Sequence, residues 1–120
     1  MERGNAALGR RAEDAVAAEL VRRGMALLAR RWRYRRLGEI DLVAADRGAV
    51  CFVEVKARTS GRFGIPAEAV TPAKTRRIRQ VASLYLQEKG WEDREVRLLA
   101  ASVQCESDGC ISCIEILPIE

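Results

Sequence analysis

From Asn5 to about Arg23, the apolar residues Leu8, Ala12, Ala15, Val16, Leu20 and Val21 recur at the spacing of one helix face. Gly24 supplies a stop just beyond. The period then shortens. Ala26 to Trp32 mixes apolar and basic residues in a short strand-like run, Tyr34 to Gly38 is a basic loop, and Glu39 to Ala45 reads as a strand. Asp46, Arg47 and Gly48 carry turn chemistry, and Ala49 to Ala57 is the most β-prone stretch of the chain, so the two strands form a hairpin. Thr59 to Ala69 contains Ser60, Gly61, Gly64 and Pro66 and is a loop long enough to suggest a functional role. Thr71 then caps a second helix with Pro72 in its first position. Ile78, Val81, Ala82 and Tyr85 form its apolar stripe, Lys74, Arg76, Arg77 and Arg79 its basic face, and Gly90 its end. Glu95 to Val103 and Cys110 to Ile119 flank Ser107-Asp108-Gly109 as a closing β-hairpin. The order α-β-β-β-α-β-β predicts an α/β domain around a mixed sheet, with the crossover helix favouring parallel pairing of the third and fourth strands.

Length changes this picture little: 120 residues suit one domain spanning residues 1–120. No run approaches the roughly 18 apolar residues of a membrane span, and Met1 to Arg11 lacks the apolar stretch of a signal peptide. The expectation is therefore a cytoplasmic protein with no membrane partner. The absence of histidine changes it more. Imidazole is the usual base for an activated serine or cysteine and a common metal ligand, so Ser-His-Asp, Cys-His and histidine-metal chemistries are excluded. A net charge of +4 suits an anionic partner, although 18 of the 21 cations are arginine, a bias that genome composition explains as readily as phosphate binding does.

Candidate chemistry lies on the hairpin. Alternate side chains of a strand share a face, so Glu54 and Lys56 project together while Val53 and Val55 project oppositely. If Arg47 and Gly48 are the loop, Asp46 faces Ala49, Asp41 faces Glu54 and Glu39 faces Lys56, with opposed Cβ atoms about 4.5 to 5.5 Å apart. Two carboxylates that close raise each other's pKa unless a cation intervenes. Hard oxygen donors without histidine or thiolate suit Mg²⁺ or Mn²⁺, and Lys56 adds a group able to orient or deprotonate an attacking water. The same residues also fit a cross-strand ion network in which Glu39 pairs with Lys56 and the acids meet arginines. On the first helix Glu13 shares the stripe of Gly9, Val16, Ala17 and Leu20, so it either meets a cation or metal or lies at the stripe's edge in water.

These residues resemble a known family. The elements are Gly9-x-x-Ala12-Glu13-Asp14, Gly24 with Arg30-Arg31-Trp32-Arg33, Gly38-Glu39-Ile40-Asp41-Leu42-Val43, and Phe52-Val53-Glu54-Val55-Lys56-Ala57-Arg58. Phe63-Gly64-x-Pro66-x-Glu68-Ala69-Val70 and Lys74 through Leu86 continue them. The chain resembles the YraN-like family of small bacterial proteins, within the PD-(D/E)XK, restriction-endonuclease-like superfamily. That resemblance implies a three-layer nuclease core similar to archaeal Holliday-junction resolvases. It puts Asp41, Glu54 and Lys56 in the acid, acid and lysine places of the motif, with Glu13 as the helix acid. Ala12, Val16, Arg31 and Leu99 depart from the family's usual glycine, alanine, asparagine and aspartate.

The resemblance implies an endonuclease using Mg²⁺ or Mn²⁺, in which Asp41, Glu54 and Glu13 hold the metal, Lys56 aids the attacking water, and all four are catalytic. Arg30, Arg31, Trp32, Arg33, Arg35 and Arg36 interleave cations with aromatics in a manner suited to phosphate contacts and base stacking. Arg58, Lys74, Arg77 and Gln80 extend that nucleic-acid surface. The other possibility is that Trp32 packs in the core and the arginines form a solvated face. Structure-selective cleavage of DNA is the leading expectation, with a homodimer if both strands of a junction are cut. The alternatives are a non-catalytic nucleic-acid-binding protein that keeps the fold and an interaction protein with an ion-paired sheet. Cys105, Cys110 and Cys113 have a spacing resembling that of iron-sulfur proteins, with Cys51 as the only fourth ligand. Reduced thiols suit a cytosolic protein better, and a disulfide from Cys105 to Cys110 or Cys113 is an oxidised alternative.

Overall fold

Strongly β-prone segments alternate with two amphipathic helices, and the resulting sheet buries both faces, one under each helix. The computed structural model describes residues 2–59 and 70–119. The elements are α1 (Glu2–Arg22), β1 (Ala26–Tyr34), β2 (Gly38–Asp46), β3 (Ala49–Thr59), α2 (Pro72–Lys89), β4 (Val96–Cys105) and β5 (Ile111–Pro118). The strands lie in the order β1-β2-β3-β4-β5. All neighbours are antiparallel except β3 and β4, which the α2 crossover joins in parallel as expected.

Ala12, Val16, Ala17 and Leu20 of α1 pack on Leu42, Ala44, Val53, Ala101, Val103 and Cys105. The opposite face of the sheet, with Ile40, Val43, Val50, Phe52 and Leu98, is covered by Ile78, Val81, Ala82, Tyr85 and Leu86 of α2. Five-stranded sheet and helices together make a three-layer α/β core.

The helix ends follow their sequence signals. Thr71 accepts a hydrogen bond of 3.1 Å from the Lys74 amide, Pro72 opens α2, and Gly90 closes it in the left-handed conformation. The β2–β3 turn is the two-residue loop predicted, with Arg47 at φ 52° and Gly48 at φ 91°. A turn with both central residues at positive φ matches the twist of antiparallel strands. Asp46 accordingly faces Ala49 and Leu42 faces Val53.

β3 runs on to Thr59 because its outer half stays paired with β4 as far as Cys105, so Thr59 belongs to a strand and not to the loop. Residues 60–69, which hold the rest of that loop and its Phe63 to Ala69 motif, lie outside the described residues. Among the described residues no helix is long and apolar enough to cross a membrane.

Candidate metal centre at a strand fork

The β2–β3 ladder begins at the turn and ends at Leu42 and Val53. Beyond that point each strand keeps only its outer neighbour: Gly38 to Ile40 stay paired with β1, while Glu54 to Thr59 stay paired with β4. The expected facing of Glu39 and Lys56 is therefore not formed; Glu39 lies opposite Arg33 of β1. The ladder also stops one position short of the expected Asp41–Glu54 pair, so these two residues stand where the strands part. The Asp41 carboxylate bridges the fork by accepting the Val55 amide hydrogen bond at 2.7 Å. An amide without its ladder partner thus finds one in a side chain.

Asp41 and Glu54 line one cavity of about 140 Å³ with Gly38, Glu39, Lys74 and Arg77. Burial pushes the Asp41 carboxyl up to about 7, with the Glu54, Glu13 and Glu39 charges adding to the rise and the Val55 amide opposing it. The Glu54 side chain is only 14% exposed, and its Oε2 lies 2.9 Å from Lys74 Nζ. An ammonium group inside the cavity thus partners one of the two carboxylates, Glu54. Two convergent carboxylates with room for water suit Mg²⁺ or Mn²⁺, which commonly take one or two protein carboxylates and keep several waters.

Glu13 takes the first of its two alternatives, a cation partner, and not the solvated edge. Its side chain is 13% exposed and meets a cation, Arg31, whose Nε donates to Oε1 at 2.9 Å. Among the described residues no three acidic, cysteine or histidine side chains gather to hold a metal ion. Glu13 therefore does not complete a three-acid ligand set with Asp41 and Glu54. Lys56 is half-buried on the outer half of β3, opposite Ser102 of β4, and forms no ion pair among the described residues.

The expected nucleic-acid surface divides. Arg30 pairs with Asp14, so Arg30 and Arg31 tie β1 to α1. Trp32 packs edge-on against Tyr85, ring centres 5.1 Å apart, in the α2-side core. Its ring serves the packing alternative. Arg33, Arg35 and Arg36 are exposed, with the Arg35 guanidinium 5.3 Å from the centre of the Tyr34 ring. Arg58 is half-buried on β3, and its Nε has no hydrogen-bond partner among the described residues. Arg77 and Gln80 are exposed on α2, with Arg77 at the cavity wall and Lys74 on Glu54 inside it. The four cysteines are free thiols, Cys51 and Cys105 buried and Cys110 and Cys113 exposed.

One contributor is a residue that carries no chemistry. A Cβ placed on Gly38 would lie 3.1 Å from Arg77 Cδ and 3.3 Å from Val81 Cγ2. Glycine there lets α2 close over the mouth of the fork. The signal available in sequence is a glycine opening a strand immediately before the acidic residues.

Comparison with known proteins places these positions in a family. The chain is 44% identical over 106 residues to a UPF0102 protein of Symbiobacterium thermophilum, covering 88% of this chain and 89% of the relative. It is 52% identical over 83 residues to a UPF0102 protein of Mycolicibacterium gilvum, covering 68% and 67%. A UPF0102 protein of Acetivibrio thermocellus matches at 40% over 103 residues, covering 86% and 79%. The model of the uncharacterised protein family UPF0102 matches residues 12–111, which include Glu13, Asp41, Glu54 and Lys56, and the chain belongs to that family.

Proposed function

We propose that this protein is a Mg²⁺- or Mn²⁺-dependent endonuclease of the PD-(D/E)XK type, hydrolysing phosphodiester bonds of DNA with a preference for branched or single-stranded regions. The observation that carries this reading is the placement of Asp41 and Glu54 on one cavity at the point where β2 and β3 part. Hydrolysis joins a water oxygen to phosphorus, breaks one P–O bond and returns a proton to the departing sugar oxygen. Asp41 and Glu54 would hold the divalent ion. When bound, that ion stabilises the charge gathering on the phosphate and makes water more acidic. Lys56, two residues beyond Glu54 on the same strand, orients the attacking water. Lys74, which pairs with Glu54 inside the cavity, would supply a positive charge beside the substrate phosphate. The exposed guanidinium groups of Arg33, Arg35, Arg36 and Arg77 grip the backbone, a hold that weakens as salt is raised.

Purified protein is incubated with branched and single-stranded DNA and Mn²⁺. Cleavage is expected from the wild type and not from Glu54→Gln or Lys56→Ala, with DNA binding retained in both variants. A second reading, a non-catalytic nucleic-acid-binding protein, is favoured by the two ion pairs that already satisfy Glu54 and Glu13. Salt-sensitive DNA binding without cleavage under either metal supports that second reading and overturns the first.

A further inference from the structure

The register of β1 against β2 places Arg30 opposite Leu42 and Trp32 opposite Ile40. The position between them, Arg31, thus lies across from Asp41, whose other neighbour across the fork is Glu54. Arg31 drops out of the β1–β2 ladder and has φ 52°, the left-handed region that an arginine rarely adopts. That backbone turn coincides with the hydrogen bond from its Nε to Glu13 at 2.9 Å. The Glu13 contact, together with the charges of Glu39 and Asp41, raises the Arg31 pKa. An unfavourable local conformation therefore delivers a permanent cation to three carboxylates, Glu13, Glu39 and Asp41.

We propose that Arg31 is the built-in countercharge of the fork: it holds Glu13 out of the ligand set and weakens the affinity of Asp41 and Glu54 for a divalent cation. The inference rests on the metal-site reading above and gives that site its regulation. Two effects act in the same direction. A guanidinium beside the carboxylates repels an incoming dication, and the acid it binds is withdrawn from ligation. Asparagine is the natural probe, because it tolerates positive φ better than arginine while carrying no charge.

Calorimetric titration of the full chain with MnCl2 at low ionic strength tests the proposal without reference to cleavage. Arg31→Asn is expected to bind Mn²⁺ about tenfold more tightly than the wild type, since it removes a nearby positive charge and frees a negative one. Arg31→Gly, which suits the same backbone, is expected to match it and serves if the asparagine variant folds poorly. Arg31→Lys, which keeps a cation, is expected to stay near the wild-type affinity. If Arg31→Asn and Arg31→Gly bind no more tightly than the wild type, while Asp41→Asn abolishes binding, the role of Arg31 is overturned and the metal site stands. Equal tightening by Arg31→Lys and Arg31→Asn also overturns it, since charge would not be the cause. If neither the wild type nor the folded Arg31 variants bind Mn²⁺, both the inference and the metal-site reading fail.

Discussion

The inner and outer halves of the β2–β3 pair are made by the same two strands and do opposite work. Next to the turn, Leu42 to Asp46 and Ala49 to Val53 form a continuous ladder whose side chains are almost all buried and apolar. Farther out, Glu39, Asp41, Glu54 and Lys56 sit where β2 and β3 no longer pair with each other and keep only β1 and β4 as neighbours. Parting the strands makes space between carboxylates that a closed ladder would hold side by side. Apolar packing on the inner half fixes where that parting begins, so the core sets the geometry of the polar half.

Breaking the inner half should have the largest effect on stability. Phe52 is fully buried between the sheet and α2, its ring 5.7 Å from that of Tyr85. Phe52→Ala is expected to cost about 3 to 5 kcal/mol, read by denaturant unfolding.

The outer half should reveal itself through pH. A carboxyl whose folded pKa is raised binds its proton more tightly in the folded state than in the unfolded one. Asp41 titrates at about 7 when folded, against an ordinary value of 3.8. Its contribution is thus fully favourable below the unfolded value and is lost as pH climbs from about 4 to about 7. In metal-free buffer the wild type should lose on the order of 3 kcal/mol relative to Asp41→Asn across that window. Parallel unfolding curves at pH 4 and pH 8 check this; a constant difference between the two proteins would remove the half-buried, repelled carboxylate from the account.

Next in size is the turn. Gly48→Ala places a Cβ at φ 91° and is expected to cost about 1 to 2 kcal/mol, with thermal melting as the readout. If the inner ladder directs the fork, this change should also weaken Mn²⁺ binding at Asp41, some distance along the strand.

The smallest effect is expected at the outer surface. Arg30 and Asp14 are both substantially exposed, so Arg30→Ala should lower the melting midpoint by no more than about 2 °C. A larger drop would mean that the tie between β1 and α1 supports the fork and does not merely decorate it.

Much of the inner half is legible from residue pattern. Asp46, Arg47 and Gly48 announce the turn, and once the loop length is known the opposition of Leu42 and Val53 follows by counting. Thr71, Pro72 and Gly90 mark both ends of α2 because capping depends on adjacent residues. The same counting predicts that Glu39 meets Lys56, and there it fails. Register arithmetic assumes that two strands remain partners, whereas β2 and β3 stop pairing beyond Leu42 and Val53 and keep only β1 and β4 as neighbours. The Lys74 contact with Glu54 and the Arg31 contact with Glu13 join residues distant in sequence, so no local periodicity announces them. Arg31 also adopts a backbone conformation unusual for its type, which composition and alternation do not register. Trp32 illustrates a different ambiguity: its basic surroundings suit a stacking surface, yet its position in β1 turns the ring inward against Tyr85.

Gly38 gives the mouth of the fork a narrow tolerance. A single methyl group at this position would press first on the aliphatic part of Arg77 and on Val81, since the available gaps are 3.1 to 3.3 Å. The aperture is therefore adjustable by steric bulk alone, at a residue bearing no charge, leaving every acid and lysine of the proposed machinery chemically intact.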